Sequence, residues 1–110
     1  MTGTPVVDGE DRGVEYTDID MNADSTTTIY NPGTDAAVYG VYLTVSGSTA
    51  EFDLEVTDGS STEVLESVGG GSNLRFTDDI VLGESDSLQI DITTVEGTTQ
   101  SDTCAVFRKE

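Results

Sequence analysis

Apolar and polar residues alternate with a period of two along most of this chain. In Glu51-Phe52-Asp53-Leu54-Glu55-Val56 the apolar side chains fall on one face and three carboxylates on the other. That is the pattern of a half-buried strand. Leu88-Gln89-Ile90-Asp91-Ile92 repeats it. From Tyr39 to Val45 the odd positions are all apolar, which sends Gly40 and Tyr42 to the opposite side. Leu74-Arg75-Phe76 and Cys104-Ala105-Val106-Phe107 are further short strands, and Thr26 to Tyr30 is rich in β-branched residues that favour extended backbone. Val14 to Met21 also alternates, with a break in register expected near Asp18.

Turn signals separate these runs. Asn31-Pro32-Gly33-Thr34 combines a residue with fixed φ and one that tolerates positive φ. Ser46-Gly47-Ser48, Asp58-Gly59-Ser60, Gly69-Gly70-Gly71-Ser72-Asn73, Gly83-Glu84-Ser85-Asp86 and Glu96-Gly97-Thr98 follow. The spacing suits antiparallel strands joined by hairpins and short arches. No stretch has a helical apolar stripe, a weak turn around Glu63 to Val68 excepted. The expectation is an all-β fold: a single antiparallel β-sandwich or jelly roll of about seven or eight strands over 13–110. Residues 1–12, with Pro5 and Asp8-Gly9-Glu10-Asp11, are expected to form a mobile or partner-bound arm.

Charge adds a constraint that the pattern does not. Of 110 residues, 22 are Asp or Glu and only 4 are Lys or Arg, for a net charge of −18. Such a field repels phosphate and anionic lipid, so neither nucleic acid nor membrane is an expected partner. Disorder is not expected, because the hydrophobic fraction is 35% and is organised into alternating runs. One-sided charge destabilises a compact chain over roughly 10 Å at 0.1 M salt but over only about 3 Å at 1 M. The acid excess therefore points to a very salty medium, and it resembles the compositional bias of haloarchaeal proteins and of their viruses.

No basic segment followed by an apolar one opens the chain, so a signal peptide is not expected. No apolar run approaches a membrane span. None of Asn22, Asn31 and Asn73 begins an Asn-x-Ser/Thr acceptor. The single cysteine, Cys104, lies in an alternating run and reads as a small buried hydrophobe.

Candidate chemistry is sparse. The absence of His removes imidazole-based mechanisms and most zinc sites. Asp18, Asp20, Asn22 and Asp24 place oxygens at alternate positions, like the start of a calcium loop. Ala23 then stands where that loop has glycine, and Ile29 where it has a bidentate glutamate, leaving only a weak candidate for a structural cation. Asp78-Asp79 and Glu84-Ser85-Asp86 offer paired carboxylates, but turn acids in water stay ionised and supply no general acid. Gly69-Gly70-Gly71-Ser72 lacks the lysine of a phosphate loop and reads as a flexible connection. No catalytic residue and no cofactor is expected; the chain does not read as an enzyme. The basic residues Arg12, Arg75, Arg108 and Lys109 are expected to pair with neighbouring or partner carboxylates, and Tyr16, Tyr30, Tyr39 and Tyr42 are the candidates for a sugar-binding platform.

From about Thr27 to Phe107 the order of motifs resembles small β-sandwich virion proteins of tailed viruses. The residues that carry the likeness are Thr-Ile-Tyr-Asn-Pro-Gly at 28–33, Ala37-Val38-Tyr39-Gly40-Val41-Tyr42-Leu43, Glu-Phe-Asp-Leu-Glu-Val at 51–56, Ser72-Asn73-Leu74, and Val81-Leu82-Gly83-Glu84-Ser85-Asp86-Ser87-Leu88 before Gln-Ile-Asp-Ile. Gly83 and Asp86 are separated here by Glu84-Ser85, where such proteins place them side by side. The resemblance implies a non-enzymatic structural subunit of a haloarchaeal tailed virus, assembled in the host cytoplasm and located in the virion. Its expected partners are copies of itself in a homo-oligomer and other virion proteins. An exterior capsid position, as a decoration or turret protein, is favoured; the alternative is a tail-associated or host-attachment module that binds a cell-surface glycan or protein.

Overall fold

The computed structural model describes residues 12–110. Among them nine strands form two antiparallel sheets, with no helix: β1 (Arg12–Asp20), β2 (Thr26–Tyr30), β3 (Ala36–Leu43), β4 (Glu51–Thr57), β5 (Thr62–Val68), β6 (Leu74–Phe76), β7 (Ile80–Leu82), β8 (Ser87–Thr94) and β9 (Ser101–Lys109). One sheet runs β1-β9-β3-β6, with β7 also paired to β3; the other runs β2-β8-β4-β5. The pairs are nested. β1 meets β9, β2 meets β8, β3 meets β6 and β7, and β4 meets β5, as if one long hairpin had been rolled over itself. That is the strand order of a jelly roll, in which two sheets close over one core.

The inward residues come from the alternation. Phe52 and Leu54 on β4, Leu88, Ile90 and Ile92 on β8, and Val41 and Leu43 on β3 are all buried. Cys104 lies in the same core, as its position in an alternating run implied. At the Asn31-Pro32-Gly33 turn, Gly33 has φ +73°, a conformation open to glycine at little cost.

Four local expectations need revision. The count of seven or eight strands becomes nine because the strand beside β3 is broken in two: β6 and β7 both pair with β3, and Thr77-Asp78-Asp79 interrupts them. Glu63 to Val68 is a strand, not a helical turn. A register shift where β5 passes Leu54 and Glu55 inserts Leu65 as an extra residue and hides the alternation. The register of β1 does not break near Asp18; pairing with β9 continues unbroken from Arg12 to Asp20. Its inward positions are Glu15, Thr17 and Ile19, and Val14 and Tyr16 point outward, so the apolar residues do not mark the core side. The triglycine segment is a built turn, closed by the Ser72 N–H donating to the Gly69 carbonyl at 3.1 Å. A Cβ on Gly70 would come within 3.1 Å of the Ser48 carbonyl oxygen, so the segment needs glycine for a close backbone approach. The expected arm, 1–12, lies outside the described residues except for Arg12, which is the first residue of β1.

Candidate functional site

The two sheets present unlike outer faces. On the five-stranded sheet, the rows that cross the strands outward include Tyr16–Ala105–Tyr42–Arg75, Val14–Phe107–Gly40 and Arg12–Lys109–Ala37–Val81, with the pairs Asp18–Thr103 and Asp20–Ser101 at the far end of β1. A bulge between Val38 and Gly40 adds Tyr39 to the same face. Tyr39 and Tyr42 flank Phe107, with ring centroids 6.1 and 5.6 Å away and the Tyr42 ring edge-on. The Arg12 guanidinium lies 5.8 Å from the centre of the Tyr39 ring, and that of Arg75 lies 6.0 Å from that of Tyr42. At these distances a guanidinium is attracted to the negative face of the ring. Gly40 permits the arrangement, since a Cβ there would meet the Tyr42 ring at 2.8 Å. Tyr16 is 68% exposed and Val81 83% exposed on this face.

The four-stranded sheet is the opposite in chemistry. Its outward rows are Thr26–Asp91–Asp53–Ser67 and Thr28–Gln89–Glu55–Val64. Carboxylate oxygens of Asp53, Glu55 and Asp91 all lie within 4.8 Å of one another. Glu55 is buried by its neighbours and accepts a 2.7 Å hydrogen bond from Gln89 Nε2. Asp91 accepts one from Thr26 Oγ1 at 3.1 Å. Like charges directly opposite on a sheet repel, so the trio favours any cation, whether a metal ion or a basic side chain. The sequence displays these acids as ordinary solvent-face residues. Only the pairing of β4 with β8, which no local pattern encodes, brings Asp53 opposite Asp91.

At one end of the sandwich, Arg108 Nε donates to Glu15 Oε2 at 3.0 Å and stands 3.9 Å from Glu110. The Tyr30 hydroxyl donates to Glu110. Burial, then the Glu110 carboxylate, raises the pKa of Tyr30 above its ordinary value of 10.0. Tyr30 thus belongs to a partly buried polar cluster at the end of the sandwich, apart from the other three tyrosines. Arg108 and Lys109, adjacent in sequence, face opposite sides of β9.

Neither a family model nor a curated protein sequence matches the chain. Solved structures do. A protein in the acidic stable capsid structure of Helicobacter pylori bacteriophage KHP30 aligns with a TM-score of 0.73 at 9% identity, over 92% of this chain and 93% of that one. A pentameric capsid protein isolated from metagenomic phage sequences aligns with a TM-score of 0.53 at 21% identity, over 87% of this chain. This chain spans 61% of the length of that protein. The likeness is one of fold.

The other candidates fall as follows. Asp18 accepts a hydrogen bond from Thr103 Oγ1 at 2.7 Å, and Asp20 from the Asn22 N–H at 2.9 Å. Asn22 Oδ1 accepts from the Gly97 N–H at 2.7 Å. Asp18, Asp20 and Asn22 thus each make one turn or strand contact, and Asp24 shares none of them. Asp86 caps the Gly83 N–H at 2.8 Å and lines, with Asp79, a shallow cleft of about 480 Å³ between β5 and β7. Burial pushes the Cys104 thiol up to about 12, which removes it from nucleophilic chemistry near neutral pH. Among the described residues no helix is long and apolar enough to cross a membrane.

Proposed function

We infer that this protein is a non-enzymatic structural subunit of a virus particle, acting through packing against copies of itself and other virion proteins. One observation carries the reading: the end-to-end likeness in fold to a protein of a phage capsid, over 92% of this chain and 93% of that one. The residue inventory agrees, with no His, a buried inert thiol and carboxylates spread over solvent faces. Rigidity serves such a role, and a core that closes two sheets over each other supplies it.

Finer features rest on composition. A net charge of −18 suits a particle that is assembled and used in concentrated salt, as in a haloarchaeal host, and a Thr- and Ser-rich acidic surface suits the exterior of a head as decoration or turret. The alternative of a glycan-binding attachment module draws on the outward tyrosines. Their rings meet at interplanar angles of 51° and 85° with Phe107, which does not make a flat platform for a sugar. An electron cryomicroscopy map of the particle tests the assignment. Density for this nine-stranded sandwich on the head surface is the expected result; a complete map without it overturns the assignment.

A further inference from the structure

The sandwich is open along one side. Val56 on β4, Leu65 on β5 and Phe76 on β6 pack against the core but are only partly buried. All three line the cleft of about 480 Å³ between β5 and β7. β5 pairs only with β4, and β7 only with β3, so among the described residues each presents an edge that no strand covers. On the opposite side of the sandwich β1 and β2 approach each other instead. The rim of the cleft carries Asp58, Glu63, Asp79 and Asp86 and no basic group. An open edge beside an apolar floor is the acceptor for an added strand, in which main-chain hydrogen bonds give affinity and pockets choose the side chains.

We propose that the cleft receives residues 2–7 of a second copy of this chain, as a strand added to β7. The inference rests on the structural-subunit reading and names the contact which that reading leaves open. Thr2 to Val7 carry no charge, which suits an acidic rim, and Pro5-Val6-Val7 is their apolar run. Adjacent side chains of a strand point to opposite faces. One valine therefore meets the floor of Val56, Leu65 and Phe76, and the other covers the exposed Val81. Asp8, Glu10 and Asp11 follow the apolar run and stay outside the rim in water. Reach selects a neighbour as the donor. Arg12, Lys109, Ala37 and Val81 form one row, so a strand added beyond β7 lies four strand spacings, about 19 Å, from Arg12 along the sheet. The five steps of chain from Val7 to Arg12 extend over at most about 18 Å, and the direct line runs through β9 and β3. The segment of one chain thus falls short of its own cleft. Donor and acceptor are different parts of the subunit, so the contact is heterologous, closing into a ring or extending according to the rotation per step.

Two measurements on the full chain in molar salt test it. Sedimentation compares the parent with the double variant Val6→Asp, Val7→Asp, which sets two carboxylates against the acidic rim. The variant keeps its β-sheet circular dichroism and weakens self-association at least ~10-fold. The second measurement oxidises in air two proteins, Val6→Cys with Leu65→Cys and Val7→Cys with Leu65→Cys; Cys104 is buried and takes no part. At least one of them links chain to chain and gives a ladder of dimers and larger species that a reductant collapses to monomer. The inference is overturned if the Asp variant assembles like the parent, or if the parent stays monomeric. It is overturned equally if the paired cysteines join within one chain, or if neither pair joins. Those results leave the structural-subunit reading standing; that reading fails separately, if the protein is absent from particles.

Discussion

Glu96 Oε1 accepts the backbone N–H of Ala50 at 2.9 Å and thereby ties the β8–β9 loop to the β3–β4 loop across the end of the sandwich. Thr49 and Ser48 donate to the same carboxylate at 3.1 and 3.3 Å. Gly47 leaves room for it, since a Cβ there would lie 2.4 Å from the Glu96 carboxyl carbon.

These N–H donors, that of Ala50 foremost, hold the Glu96 carboxyl below its ordinary value of 4.5. A depressed folded-state value means that the ionised form stabilises the fold. The contribution is present above the ordinary value and is lost as pH falls through 4.5 toward the depressed one. Glu96→Gln is expected to melt a few degrees lower at neutral pH and to lose less on acidification than the parent. Melting curves across the acid range check this; parallel pH profiles for the two proteins would remove Glu96 from the account.

Phe52 faces inward on β4, opposite Val68 and Ile92, and is fully buried. Phe52→Ala removes a large side chain from the centre of the sandwich and is expected to cost about 3–5 kcal/mol. Urea unfolding measures the loss directly. A cost under 1 kcal/mol would mean that the two sheets are not packed as described.

Gly40 lies beneath the Tyr42 ring, so Gly40→Ala must displace that ring. The expected cost is about 1–3 kcal/mol, with a change in the near-ultraviolet circular dichroism of the Tyr39–Phe107–Tyr42 cluster. Gly33→Asn, at a turn with open space around it, is expected to change neither signal much.

Cys104 is fully buried, with its thiol held far from ionisation. Maleimide labelling is expected to be negligible in the native protein and complete in denaturant. Rapid labelling without denaturant would contradict the burial of β9.

Salt supplies another check. With a net charge of −18, self-repulsion falls as the screening length drops from roughly 10 Å to about 3 Å between 0.1 and 1 M salt. The melting temperature is expected to climb steeply over that range and beyond. A flat response would remove the reading of a saline habitat.

The fold was legible in the sequence wherever alternation separated a core face from a water face. Glu51 to Val56 and Leu88 to Ile92 each state their orientation unaided, because their outward residues are charged or polar. β1 misleads, since its outward Val14 and Tyr16 belong to an aromatic face of the molecule and Glu15, on the other side, is drawn into an ion pair with Arg108. β5 misleads because one extra residue at a bulge destroys the period on which the reading depends. Of the surfaces, Arg75 opposite Tyr42 and Asp53 opposite Asp91 arise from pairings between strands distant in sequence, which composition and spacing do not encode.

The most direct test of the central claim is quantitative peptide mass spectrometry of virus particles purified by density gradient. The account predicts this protein as an integral component, present in many copies per particle and retained through repeated banding. Its absence from intact particles, with abundance confined to the infected cell, would contradict a structural role in the virion.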